Sequence, residues 1–216
     1  DFTWADFQAK NNNELLAILG NFINRTIVLT HKYYQGVIPE LGTPTELEQE
    51  VLNKIKEFPT SIGNSIEKFR FREALAEYMN LARLGNKYLT DAEPWKKQKE
   101  NPEAVKTILH VSLQICAALS VLGEPFLPFT AKKIQNMLNI DIHEWEKGGR
   151  TDMLKAGEKI NSAEYLFENI DDATIAKQIK KLEDSKAKKL MEQTPEIEEK
   201  TDVTYEEFSK MDLRVC

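Results

Sequence analysis

The chain has 216 residues, 41% of them hydrophobic, and carries 29 Lys and Arg against 35 Asp and Glu for a net charge of -6; that is ordinary soluble-protein composition, with enough apolar material for one or two domains around a core. Cys116 and Cys216 are the two cysteines, too few for a disulfide framework or a Cys-based zinc site, and they fit a reducing cytoplasmic compartment. No apolar run approaches the roughly 18 to 20 residues of a membrane span, and the opening Asp1-Phe2-Thr3-Trp4, which is no signal peptide, reads as the start of a piece cut from a longer protein.

Helical periodicity dominates, and no alternating run bounded by hairpin turns is present. The first expected helix opens at Asn11-Asn12-Asn13-Glu14 with an Asn cap and ends near Tyr34, before a left-handed stop at Gly36. Leu15, Ile18, Leu19, Phe22, Thr26, Leu29 and Tyr33 form its inward stripe. A second helix is announced by Thr43-Pro44-Thr45-Glu46, with Thr43 as cap and Glu46 reaching back, and should end before Pro59. The third region, Ser61 to Leu89, buries Leu75, Tyr78, Met79, Ala82 and Leu89 until Glu93-Pro94-Trp95 interrupts it. Asn101-Pro102-Glu103 opens a helix running to Gly123, and a shorter one follows near Thr130 to Leu138. Short connections make this an all-α antiparallel helical bundle.

Beyond residue 140 the pattern loosens. The expected organisation is a bundle over 1–140, an irregular C-terminal extension over 141–183 that packs back on it, a charged linker over 184–203, and the start of a further domain over 204–216. Tyr165 through Asp172 reads as extended, and residues 184–201 have the composition of a solvated linker or frayed helix extension.

Catalytic motifs readable from local sequence are missing: no phosphate-cradling Gly-rich loop, no Gly-x-Ser-x-Gly elbow, no His-Glu-x-x-His. His31, His110 and His143 follow Val28, Thr107 and Ile140 by three positions, so no Glu-x-x-His pair exists for a di-iron bundle. Neither a catalytic nor a metal site is expected. Charge is uneven: residues 60–136 hold 11 basic and 8 acidic side chains, whereas residues 1–59 hold 5 and 8. Local field, and not the sum, decides where an anion lands.

A binding surface can be assembled instead. At 100° per residue Asn21, Arg25 and Lys32 fall within about 40° of one another on the flank of the first apolar stripe, so all three can address one external object. An amide and a guanidinium fork suit the edges of unpaired bases, and equally a solvated polar flank. Trp95 follows Pro94 and precedes Lys96-Lys97-Gln98-Lys99, an arrangement able to stack a base beside phosphate-binding cations, or to be a Trp packed under a corner.

Three segments together resemble methionyl-tRNA synthetases in identity and spacing: Asn12-Asn13-Glu14-Leu15 through Leu19-Gly20-Asn21-Phe22-Ile23-Asn24-Arg25, then Ala82-Arg83-Leu84-Gly85-Asn86-Lys87-Tyr88 through Glu93-Pro94-Trp95-Lys96, and Pro125-Phe126-Leu127-Pro128. The resemblance implies the anticodon-binding helical bundle of a class I aminoacyl-tRNA synthetase of bacterial type. It implies methionine tRNA with its CAU anticodon as partner, with Asn21, Arg25 and Trp95 as the anticodon contacts and cytosine at the first position as their target. Lys32, Asn86, Asp91 and Lys96 are secondary candidates. The family often carries an acidic residue five positions before the Trp, where this chain has Thr90 followed by Asp91. The HIGH and KMSKS motifs and the zinc knuckle of the family are absent, so no cofactor is expected here; ATP with magnesium belongs to a catalytic domain outside this sequence. Phe208 through Val215 resembles the opening strand of an OB-fold appendage through which some members dimerise. The piece itself is therefore expected to be monomeric and cytoplasmic, with neither membrane nor DNA as partner. A helical docking or scaffold module without an RNA role, or an all-α enzyme with an unfamiliar site, are the rival readings.

Overall fold

The structure is a computed structural model that describes residues 2–193, 203–212 and 214. It divides into two compact units, Asp1–Asp171 and Asp172–Cys216. Helix is the only extended regular element among the described residues, accompanied by one isolated antiparallel bridge between Val37 and Lys159.

The first unit begins with one helical rod: α1 (Trp4–Lys10), a π-helical stretch (Asn11–Gly20) and α2 (Asn21–Tyr34). The expected start at Asn11 is displaced to Thr3, whose Oγ1 accepts from the Asp6 amide at 3.1 Å. The wider i→i+5 winding of the middle stretch makes a stripe drawn at 100° per residue drift. Leu15 and Ile18 are thus only half-buried, whereas Leu19, Phe22, Ile23 and Ile27 are fully enclosed. The rod stops where Gln35 and then Gly36 turn left-handed, with φ of 54° and 77°.

Helix α3 (Glu46–Glu67) starts two residues later than its Pro-containing preface suggested. Thr45 is the cap, and Glu48 reaches back to accept from the Thr45 amide at 2.8 Å. The other oxygen of Glu48 accepts from the buried Tyr88 hydroxyl at 3.1 Å, so one carboxylate caps α3 and ties it to α4. Pro59 does not end α3. It is buried within the helix against the following 3₁₀ turn, and that packing offsets its missing N–H. The break falls at Lys68–Arg70 instead, before α4 (Phe71–Ala92). Leu75, expected inside, is 41% exposed near the open start of α4.

Glu93, left-handed at φ 45°, turns the chain into the short α5 (Pro94–Glu100). Helix α6 (Pro102–Leu122) follows, capped by Asn101 Oδ1 accepting from the Ala104 amide at 3.1 Å, and α7 (Pro128–Leu138) comes after it. Nearly every residue of α6 is buried, because α2, α3, α4, α5 and α7 surround it. Contrary to the expectation that no run was long enough, α6 is by length and composition apolar enough to cross a membrane; 94% of that stretch is enclosed within the bundle. Its polar groups are satisfied internally. Ser112 and Ser120 donate to the Ile108 and Ala117 carbonyls, each at 2.8 Å.

The segment after the bundle is held by side-chain amides and a few backbone bonds. A 3₁₀ turn (Trp145–Gly149) packs on α3 and α6, with Trp145 Nε1 donating to the Pro59 carbonyl at 3.1 Å. Gln114 brackets Leu154, donating to its carbonyl at 2.8 Å and accepting from its amide at 3.2 Å. The chain then runs back antiparallel to the first rod. Ile160 donates to the Gly36 carbonyl, and His31 Nε2 donates to the Asn161 carbonyl, both at 2.9 Å. Near the other end Asn11 donates to the Glu168 carbonyl at 2.9 Å. Asn12 clamps Ile170, donating to its carbonyl at 2.8 Å and accepting from its amide at 2.9 Å. Those commitments explain why the Asn run does not cap a helix.

In the second unit α8 (Asp172–Gln193) is one continuous helix. The expected boundary at 183 is therefore not observed, and the first ten residues assigned to a linker are helical; 194–202 lie outside the described residues. The expected strand near Phe208 is instead a helical turn, α9 (Tyr205–Phe208), with Thr204 and Glu207 forming a capping box. Leu213 and Val215 of that expected strand lie outside the described residues.

Three outcomes test this packing. A Cβ on Gly85 would stand 2.5 to 2.8 Å from three ring atoms of Phe22, so Gly85→Ala should cost about 1 to 3 kcal/mol of overpacking, read as a lower urea midpoint. His110 donates from Nδ1 to the Pro39 carbonyl at 2.8 Å, while its Nε2 accepts from Gln114 Nε2 at 3.2 Å, an arrangement of the neutral ring. Burial pushes its pKa below the ordinary value of 6.5, so the native state resists the proton that the unfolded chain accepts. Its contribution should be complete above about pH 6.5 and decline as pH falls below it, and His110→Gln should flatten that slope in urea titrations at stepped pH. Asn12→Ala should speed hydrogen exchange of the Ile170 amide about tenfold by removing its acceptor.

Candidate nucleic-acid interface

Phe22 and Ile23 point into the core with no exposed surface, which fixes the rotation of α2 and leaves its Asn21, Arg25 and Lys32 flank outward. Helix α4 holds the rod in that rotation. Asn86 Nδ2 donates to the Ile18 carbonyl at 2.6 Å, and Arg83 forms an ion pair with Glu14.

The left-handed Glu93 and the buried ring of Pro94 swing Trp95 outward at the start of α5, where it is 37% exposed. There it meets Arg25, whose guanidinium carbon lies 5.0 Å from the centre of the indole ring, within cation–π distance. Asn21 is exposed one turn before Arg25. Among the described residues nothing accepts from or donates to its amide, and no carboxylate pairs with Arg25. Two elements far apart in sequence thus bring an aromatic plane, a five-donor fork and an open amide to one surface.

The secondary candidates are placed differently. Lys32 is exposed on the same flank about 10 Å further along α2, with its ammonium 5.4 Å from the Tyr33 ring centre. Asn86 spends its amide protons on helix carbonyls, chiefly that of Ile18, and so fixes the rod. Asp91 is held in an ion pair with Lys87, whose pKa it raises by accepting a hydrogen bond. Lys96 pairs with Glu93 at 2.7 Å, whereas Lys97 and Lys99 are exposed and without an ion-pair partner among the described residues.

The sequence reading passed over one further feature. Beside Asn21 runs a groove of about 340 Å³ between the rod and the returning extension, lined by Asn24, Tyr165 and Phe167 among others. The Tyr165-Leu166-Phe167 triplet was visible as apolar. Which of its members faces solvent depends on how the extension lies against the rod.

The chain matches the family described as "Anticodon binding domain of methionyl tRNA ligase" over residues 38–187. It is 56% identical over 216 residues to the methionine–tRNA ligase of Cytophaga hutchinsonii, covering all of this chain and 31% of that protein. With the methionine–tRNA ligase of Flavobacterium psychrophilum it shares 54% identity over 217 residues, covering all of this chain and 32% of that one. Among solved structures, the apo form of Mycobacterium tuberculosis methionyl-tRNA synthetase shares the fold with a TM-score of 0.73 at 19% identity, covering 79% of this chain and 35% of that one. The chain spans about a third of the length of the curated relatives it matches. Trp95 falls inside the family span, whereas Asn21 and Arg25 precede it and are covered by the matches to the relatives. By that family span and the shared all-α fold, the chain belongs to the family of methionyl-tRNA ligase anticodon-binding domains.

Proposed function

We propose that this chain holds the anticodon loop of a methionine tRNA, with Trp95 stacking on the first anticodon base, cytosine, while Asn21 and Arg25 address its edge. The observation that carries this reading is the juxtaposition of Arg25, Trp95 and the unpartnered Asn21 on one surface. Unpaired RNA bases are held by aromatic stacking together with hydrogen bonds to their Watson–Crick edges. Cytosine offers its N4 amino group as donor, which the Asn21 carbonyl can accept, and its carbonyl oxygen and ring nitrogen as acceptors for the Arg25 fork. With Arg25 over one side of the indole, the base uses the exposed remainder of the ring. Lys97 and Lys99 beside Trp95 supply charge for the backbone phosphates.

In the same reading the whole protein joins methionine to tRNA in the cytoplasm, using ATP with magnesium. That chemistry belongs to the two-thirds of the relatives' length that this chain does not span. A scaffold role would leave Trp95 free to be replaced without consequence for RNA.

A fluorescently labelled stem-loop with the CAU anticodon tests the reading by anisotropy titration. Trp95→Ala should weaken binding by about 1 to 3 kcal/mol, with little change in the thermal transition because the ring is partly solvated already. Replacing the first-position cytosine by uracil should weaken the wild-type complex. Equal affinity for the two loops would overturn the assignment of base readout to this surface.

A further inference from the structure

We infer that the groove beside Asn21 seats the second anticodon base, adenine, stacked on Tyr165 and read by Asn24; this rests on the anticodon reading above. Tyr165 is 82% exposed, yet it is not on a loose loop. Its neighbours Leu166 and Phe167 pack against the core, and the Phe167 ring lies 3.2 Å from where a side chain on Gly20 would begin. Asn12 pins the same segment three residues further on, at Ile170. A large aromatic ring is thus presented to solvent from an anchored backbone, at the rim of a groove lined by the rod on one side and the extension on the other.

The groove's chemistry selects a neutral, planar, hydrogen-bonding ligand. None of its lining residues is charged, and its polar side chains are Asn21, Asn24 and the Tyr165 hydroxyl. Among the described residues the two amides and that hydroxyl have no hydrogen-bond partner. A phosphate would find no cation here, whereas a base finds a ring to stack on and amides that both donate and accept. An Asn amide pairs in bidentate fashion with adenine N6 and N7. A volume of about 340 Å³ is at the lower end of small-ligand pockets, which run from roughly 300 Å³ upward.

Position ties the groove to the first site. Asn21 belongs to both, and about 100° per residue puts Arg25 some 40° to one side of it and Asn24 some 60° to the other. One helix face therefore parts two neighbouring bases, the first toward Arg25 and Trp95, the second toward Asn24 and Tyr165.

The test uses the 216-residue chain and labelled stem-loops with CAU, with uracil at the second position, and with an abasic second position. Tyr165→Ala should weaken CAU binding about tenfold while leaving the abasic loop almost unaffected, and Tyr165→Phe should bind nearly as wild type does. Asn24→Ala should reduce the preference for adenine over uracil and keep the preference for cytosine at the first position. Unchanged CAU binding by Tyr165→Ala, with first-position cytosine preference intact, overturns this inference alone. So does an equal loss on the CAU and abasic loops, which would put Tyr165 on some other part of the RNA. A wild type indifferent to the first base overturns the anticodon reading and this inference together.

Discussion

The ring of Phe22 occupies the space where a side chain on Gly85 would have to be, and that close approach of α2 to α4 governs the exposed surface as much as the core. With Phe22 and its neighbour Ile23 turned inward, Asn21 and Arg25 can only face outward. The Asn86 bond to the Ile18 carbonyl and the Arg83–Glu14 pair hold the same rotation from the side. Helix α4 also carries Glu93 and Pro94 at its far end, so the element that sets the angle of α2 launches Trp95 toward it. Core packing and binding surface are two faces of one helix contact.

Amide side chains do the work in the extension that strand ladders do elsewhere. Gln114 and Asn12 each bracket one residue of it through both carbonyl and amide, imitating a peptide partner for a segment that has only one isolated bridge. This lets an irregular chain pack on helices without leaving its backbone polar groups unpaired. It also places Tyr165 along the rod at the height of Asn21, forming one wall of a groove from a segment with no regular structure.

The net charge of -6 says little about the surface because many lysines are neutralised nearby. Lys87, Lys96 and Lys106 each pair with a carboxylate within one helical turn, and such exposed pairs add little stability. Arg25 is set apart. Its partner is the face of an aromatic ring, which leaves the donors at its rim available to a ligand.

Helical periodicity, the Asn101-Pro102 start of α6 and the Pro94 corner were legible in the sequence because they depend on local geometry and spacing. So was the shared flank of Asn21 and Arg25, which follows from helix period alone. Tertiary packing decided the rest. Pro59 stays inside α3 because the 3₁₀ turn covers it, and Asn11 and Asn12 sit within a helix because distant carbonyls engage their side chains. Leu75 is half-open because its end of α4 projects from the bundle. Only the fold could bring Trp95 over Arg25, or separate Tyr165 from the two apolar residues after it, since these pairings join elements that the sequence keeps 70 and more than 140 positions apart. The sequence by itself determined which side chains share a helix face; the packing of α4 and the extension against that face determined which of them form a site.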